Sequence, residues 1–383
     1  MTGPKELKQN AIELLKKLIE TPSISREENV TANHIEKFLQ DAGVKTHRKG
    51  NNVWAFNKVY IEGQTTLLLN SHHDTVKPNP SYTNDPFKAI VEEDKLYGLG
   101  SNDAGGCLVS LLATFLHFYE RPDLPFNLII AATAEEEISG ANGIASILDE
   151  LGRIDVAIVG EPTQMRMAIA EKGLMVLDCT VRGKAGHAAR EEGINSIYKA
   201  LSDIKWFQNY KFEQVSELLG PVKMSVTQVN SGTQHNVVPD TCKFVVDVRT
   251  NEFYSNEDAY KIISEEVSCM VKARSFRLNS SRIDLNHPLV RAGQSMGLEH
   301  FGSPTLSDQA LIPFPSMKIG PGMSARSHTA DEFVLLSEIE AGIETYIKLI
   351  TRLEGYYEPD SDETWEDQNE DSLKLSADIG MSL

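Results

Sequence analysis

The sequence predicts an α/β fold, a mostly parallel sheet with helices on both faces, interrupted by an inserted α+β domain. Three observations lead there. Short apolar runs of strand length, at residues 66–70, 126–132 and 156–159, alternate with stretches of helical periodicity, the pattern of a sheet covered on both faces. Each run ends in polar residues: Ser71-His72-His73-Asp74, Thr133-Ala134-Glu135-Glu136-Glu137 and Gly160-Glu161-Pro162. After residue 173 the pattern changes to the apolar–polar alternation of half-buried strands. Ligands of open α/β sheets sit at the carboxyl ends of the strands. The three polar strand ends therefore also mark the candidate functional site.

In chain order, residues 7–20 place Leu7, Ile12, Leu15 and Leu18 at helical spacing. Thr21-Pro22-Ser23 breaks that helix, and residues 29–42 read as a second one. A third is expected at 107–119, between the first two strands. Residues 174–182, 222–229, 242–249 and 275–278 alternate as strands, with helices at 194–207 and 256–272. Two helices on a four-stranded antiparallel sheet make a small α+β domain. It reads as an insertion, because residues 314–319 return to the buried-strand pattern and a last helix spans 336–353. The expected boundaries are 1–173 with 284–357 for the sheet domain, 174–283 for the insertion, and 358–383 for an acidic tail.

The bulk composition agrees. A chain of 383 residues exceeds one ordinary core, and 41% hydrophobic with 24% charged residues is the balance of a globular enzyme. The formal charge of −18 excludes a broad basic surface, so neither nucleic acid nor an anionic membrane is an expected partner. That charge is uneven: residues 358–371 hold eight acids and no base, the signature of a solvated tail. No apolar run approaches the ~18 residues that span a bilayer. The Lys-rich stretch 1–17 lacks a secretory apolar region. Cys107, Cys179, Cys242 and Cys269 form no C-x-x-C pair, which argues against a disulfide scaffold or thiolate metal site and fits a reducing compartment. The expected location is the cytoplasm.

The chemistry lies in the polar strand ends together with two later residues: His72, Asp74, Asp103, Glu136, Glu137, Glu161 and His328. Imidazoles and carboxylates without thiolates suit zinc, and also cobalt or manganese, in a hydrolytic site. One carboxylate can bridge two cations, while a carboxylate that is not a ligand moves the proton. Asp74, two residues after His72, shares its side of an extended segment and is the natural acceptor to orient that imidazole.

The ordered motifs resemble those of the M20 metallopeptidase family. They are His72-x-Asp74-x-Val76, Tyr97-Gly98-Leu99-Gly100-Ser101-Asn102-Asp103, Thr133-Ala134-Glu135-Glu136-Glu137, Gly160-Glu161-Pro162-Thr163 and Ser327-His328. The resemblance runs from about residue 8 to residue 355. It is strongest to the acetylornithine deacetylase and succinyl-diaminopimelate desuccinylase branch, through Asp85-Pro86-Phe87 and Leu96-Tyr97-Gly98-Leu99-Gly100. It implies a zinc exopeptidase fold and two Zn2+ ions, for which Co2+ can substitute. His72, Asp103 and Glu161 would hold one, and Asp103, Glu137 and His328 the other, with Asp103 bridging. Glu136 would be the general base, and Asp74 would orient His72.

The resemblance also implies that His187, in Gly186-His187-Ala188, reaches across a homodimer interface to stabilise the oxyanion. Asn236, Arg249 and Gly322 would contact substrate, Arg249 by gripping its α-carboxylate. Structural alternatives stand beside these roles: His187 as a loop cap, and Arg249 as the partner of Asp247. Two departures from the family pattern occur. Ala104-Gly105-Gly106 replaces the usual Met-Lys-Gly, and Glu135-Glu136-Glu137 replaces Asp-Glu-Glu; composition alone leaves that register ambiguous, and the small residues that follow, Ser139-Gly140, set Glu136 as base and Glu137 as ligand. The implied activity is amide hydrolysis of an N-acyl amino acid, N-acetylornithine in arginine biosynthesis first. Other N-succinyl or N-acetyl amino acids, succinyl-diaminopimelate among them, and dipeptides are the alternatives.

Overall fold

The computed structural model describes residues 4–357, so the acidic segment expected at 358–383 lies outside the described residues. The first apolar run becomes the wholly buried strand Thr66–His72. Asn127–Thr133 and Val156–Val159 flank it in parallel, and Ser316–Lys318 continues the parallel set beyond Val156–Val159. Antiparallel strands close the margins. Thr46–Lys49 and Asn52–Phe56 form a hairpin against Asn127–Thr133, and Met167–Glu171 lies beyond Ser316–Lys318. Among the described residues this sheet has nine strands. The sequence reading does not anticipate the hairpin or Met167–Glu171, since short marginal strands lack a long apolar run.

Strand alternation divides the core in two. Leu67 and Leu69 join the cluster formed with helices Pro4–Ile19, Asn29–Asp41, Gly106–Phe118 and Leu336–Glu354. Leu68 points the other way, to Ile144, Ile147, Leu151 and Ile312. Long helices thus cover one face and short helical turns the other. Helix Gly106–Phe118 is buried along nearly its whole length, so truncating Leu111 or Phe115 to Ala would cost about 2–5 kcal/mol.

The insertion folds around its own cluster. Lys223–Ser231, Thr241–Arg249, Met175–Arg182 and Met270–Ala273 form an all-antiparallel sheet in that order. Helices Ser196–Asn209 and Asn256–Glu266 bury Ala200, Phe207, Ala259 and Ile263 against Leu177, Phe244 and Val246. One expectation is corrected here. The second helix stops at Glu266, and the fourth strand is Met270–Ala273 rather than 275–278. Ser268 donates from its backbone N and its hydroxyl to the Asp203 carboxylate, and Val271 pairs with Cys179, so these residues serve the sheet. The chain re-enters the large sheet at Ser281–Arg282, against Met167–Glu171. Among the described residues no helix is long and apolar enough to cross a membrane.

Candidate metal centre

Sheet register assembles the centre. His72 lies opposite Thr133, three residues before Glu136, and Asn70 lies opposite Val159, two residues before Glu161. Three strands therefore deliver His72, Glu136–Glu137 and Glu161 to one edge. Asp103 arrives from the loop before helix Gly106–Phe118, and His328 from the segment following Ser316–Lys318.

The side chains converge. His72 Nε2 is 3.3 Å from Asp103 Oδ1, 3.8 Å from Glu161 Oε1 and 3.9 Å from Glu136 Oε2. His328 Nε2 is 3.0 Å from Glu137 Oε2 and 3.6 Å from Asp103 Oδ2. The two oxygens of Asp103 thus face two different imidazoles. Two groups, His72 with Asp103 and Glu137, and His72 with Glu136 and Glu161, have ligand atoms within 4.8 Å of one another, a span that a cation with bonds of about 2 Å can bridge. His72 is 1% exposed, whereas the His328 side chain is 55% exposed.

The supporting shell is specific. Asp74 accepts from Ser25 Oγ at 2.7 Å and from the backbone N–H groups of Glu136 and Glu137 at 3.0 and 3.2 Å. Its own backbone carbonyl accepts from His72 Nδ1 at 3.0 Å, and its carboxylate lies 3.4 Å from the same nitrogen. Asp74 thus orients the imidazole and also holds the turn carrying both glutamates. His73 is turned away, bonded to Thr31 and to the Asn51 carbonyl, and burial lowers it to about 4. Glu135 is also tied outside the cluster, where its carboxylate accepts from Asn142.

Electrostatics describe a surplus of buried negative charge. Burial and neighbouring Asp103 push Glu161 up to about 8. Burial raises Glu137, and carries Glu136 well above the carboxylate range. Although burial opposes it, hydrogen bonds to Asp103 and Asp74 hold His72 well above its ordinary value. The Glu137 contact lifts His328 to about 9. Protons favoured on so many acids at once signal a site shaped for added positive charge. The nearby Cys107 thiol donates to the Pro321 carbonyl, and burial raises its pKa. The donor set is imidazole and carboxylate, and it fits a pair of divalent cations.

A cavity of about 570 Å3 opens on Asp103, Glu136, Glu137, Glu161 and His328, with Arg166 and Lys318 in its wall. Lys318 is neutralised by Glu171 at 3.1 Å, while Arg166 lies over the Phe301 ring and 3.2 Å from Glu299.

The residues expected from the insertion stand apart from this cavity. His187 is exposed on the two-stranded ribbon with Val237–Val238, and its Nδ1 accepts from the Ala189 N–H at 3.1 Å. Asn236 is exposed beside it, its carbonyl accepting from Ala188 N. Arg249 is gripped by Asp247 at 2.9 and 3.1 Å. Gly322 has φ 86°, and a Cβ there would meet Asn102 Oδ1 at 2.5 Å. Its close approach is thus to the protein itself.

Three residues at the centre are given no role by the sequence reading. Glu332 accepts from the N–H groups of Gly100, Asn102 and Asp103. Asn102 clasps Met323. Asp308 accepts from Thr133 Oγ1 at 2.8 Å, and burial raises it to about 6. Nothing local distinguishes Glu332 in Thr329-Ala330-Asp331-Glu332-Phe333 from a solvated acid.

The model for peptidase family M20/M25/M40 matches residues 68–352. A succinyl-diaminopimelate desuccinylase of Wolbachia pipientis subsp. Culex pipiens is 27% identical over 293 residues, covering 72% of this chain and 73% of its own. An acetylornithine deacetylase of Proteus mirabilis is 28% identical over 373 residues, covering 88% and 95%. Among solved structures, a tripeptidase from Staphylococcus aureus superposes with a TM-score of 0.73 at 18% identity, covering 91% of this chain and 99% of its own. A Bacillus subtilis protein described as a dinuclear metal binding peptidase from the M20 family does so at 0.68 and 19%, covering 91% and 98%.

Proposed function

We propose that this chain, which belongs to peptidase family M20/M25/M40 and is therefore a hydrolase of amide bonds, removes the acyl group from an N-acyl amino acid, N-acetylornithine first. The observation that carries this reading is the placement of Asp103, whose two carboxylate oxygens face His72 and His328 separately inside a ligand-sized cavity. His72, Asp103 and Glu161 would hold one Zn2+, and Asp103, Glu137 and His328 the second; Co2+ could replace either. Two such cations act as Lewis acids that polarise the amide carbonyl and acidify an attacking water.

The chain's own groups do the rest. Glu136 takes the proton from the attacking water and passes it to the leaving amine nitrogen, a task suited to a carboxyl that burial has raised. Asp74 keeps the His72 Nδ1 proton engaged, leaving Nε2 free to act as a ligand. Arg249 would exchange Asp247 for the substrate's α-carboxylate, with Asn236 and Gly322 as further contacts, and His187 would stabilise the oxyanion from a partner subunit. A homodimer through the insertion is supported by Ile197, Tyr198 and Leu201, exposed on one helix, and by Val229 on strand Lys223–Ser231 and Val237 on strand Val237–Val238, both exposed. Free thiols at all four cysteines support a cytoplasmic location.

A second reading, an N-succinyl substrate such as succinyl-diaminopimelate, is favoured by Arg166. Its guanidinium lines the same cavity and could receive a distal carboxylate. Kinetics on a panel of N-acetyl and N-succinyl amino acids and dipeptides, with Zn2+ or Co2+ added, test both. N-acetylornithine should give the highest kcat/KM. Faster cleavage of the succinyl compounds selects the second reading, and preferential cleavage of dipeptides overturns both.

A further inference from the structure

Asp103 and His328 are 225 residues apart in the chain and yet face each other at 3.6 Å. A short antiparallel ladder brings their loops together, with Lys95–Tyr97 paired to Phe333–Leu335 and Tyr97 opposite Phe333. One loop leaves this ladder after Tyr97 towards Asp103, and the other reaches it from His328 through Asp331 and Glu332. Beyond the ladder two side chains bind the loops together. The Glu332 carboxylate accepts from Asn102 N and Asp103 N through Oε1, both at 2.9 Å, and from Gly100 N through Oε2 at 3.1 Å. The Asn102 amide does the converse. Its Oδ1 accepts from Met323 N at 2.9 Å, and its Nδ2 donates to Met323 O at 3.1 Å and to Ser327 Oγ at 3.3 Å. Glu332 is 2% exposed, and it touches no cavity-lining side chain in these contacts. Its acceptor oxygens are spent on the backbone of the Asp103 loop.

We propose that Glu332 is a positioning residue, with Asn102 as a second clasp, which sets the separation of Asp103 from His328 and so the affinity for the cation they share with Glu137. The proposal rests on the reading of those three residues as ligands. The chemistry favours a carboxylate here. Three N–H donors converge on one side chain with no donor of its own, and an amide would turn an N–H2 group against one or more of them. His328 depends on the clasp most, because its side chain is more than half exposed and its loop is fixed from both flanks, at Met323–Ser327 and at Glu332.

The test titrates Zn2+ against a chromophoric chelator in the wild type, Glu332→Gln and Asn102→Ala, alongside kcat, KM and thermal unfolding of the metal-free proteins. Glu332→Gln should weaken one of two Zn2+ sites by about 10–100-fold, with kcat regained as Zn2+ is raised and KM little changed at saturating metal. Asn102→Ala should weaken the same site by less, and it decides the matter if Glu332→Gln does not fold. A wild type that takes up no Zn2+ overturns the metal reading and this inference together. A wild type with two sites, matched by variants that keep its Zn2+ affinities and lose only thermal stability, overturns the inference alone.

Discussion

The edge of the large sheet and the ribbon of the insertion present two halves of one proposed site in opposite states. At the sheet edge every expected residue is brought within contact distance of another, His72 and Asp74 are buried, and a second set of hydrogen bonds holds the Glu136–Glu137 turn and the Asp103 loop. On the insertion, His187, Asn236 and Arg249 are exposed or half-exposed, and His187 and Arg249 are satisfied by their own neighbours. The difference shows which chemistry a single chain can complete. The candidate ligands of a cation can converge before any cation arrives, and here the fold pre-forms their arrangement. Groups that meet the substrate from outside can wait for a second subunit or for the substrate itself.

The sharpest way to break this contrast is Glu136→Gln. If the sheet edge alone carries the proton transfer, turnover should fall by about 10²-fold or more, with Zn2+ uptake unchanged by metal analysis. Wild-type turnover would remove Glu136 from the mechanism.

His187→Ala tests the other half. Loss of an oxyanion donor costs on the order of 10²-fold in kcat. Because the group would come from the partner, mixing His187→Ala with Glu136→Gln should regenerate activity well above either variant alone. Mixed dimers as inactive as their parents would place His187 outside the site or confine it to its own subunit.

The smallest effect separates the regions by stability. In metal-free protein Glu161 sits at about 8, against an ordinary 4.5, and Asp308 at about 6, against 3.8. The folded state therefore keeps protons that the unfolded chain releases, and stability falls as the pH rises from about 4.5 to about 8. His328, raised from 6.5 to about 9, adds stability that is full below 6.5 and lost as the pH climbs through 9, in the same direction. Unfolding midpoints of chelator-treated protein should drop across this range, and Zn2+ should flatten the slope. A midpoint that holds or rises with pH in metal-free protein would contradict the surplus of buried charge.

Much of the sheet edge was legible because its signals are local. An apolar run ending at His72, another ending before Glu136, and a third ending before Glu161 each announce a strand and its loaded terminus within about ten residues. The register Glu135-Glu136-Glu137 was legible only through the small residues that follow it, Ser139-Gly140. Three identical side chains carry no local difference, and it is the Asn142 contact that draws Glu135 aside. The end of the helix at Glu266 was missed for a related reason, since the Asp203 carboxylate that captures Ser268 lies 65 residues away.

By itself the sequence determined the alternation of strands and helices, and the types and order of the candidate ligands, because hydrophobic periodicity and side-chain chemistry are properties of short stretches. Only the tertiary structure decided that Asp103 faces both imidazoles, that Arg249 rests on Asp247, and that Glu332 and Asn102 clasp the loops of the site. Those outcomes depend on which backbone N–H groups and charges remain unsatisfied once distant segments pack. Burial makes such partners compulsory without marking them in advance along the chain.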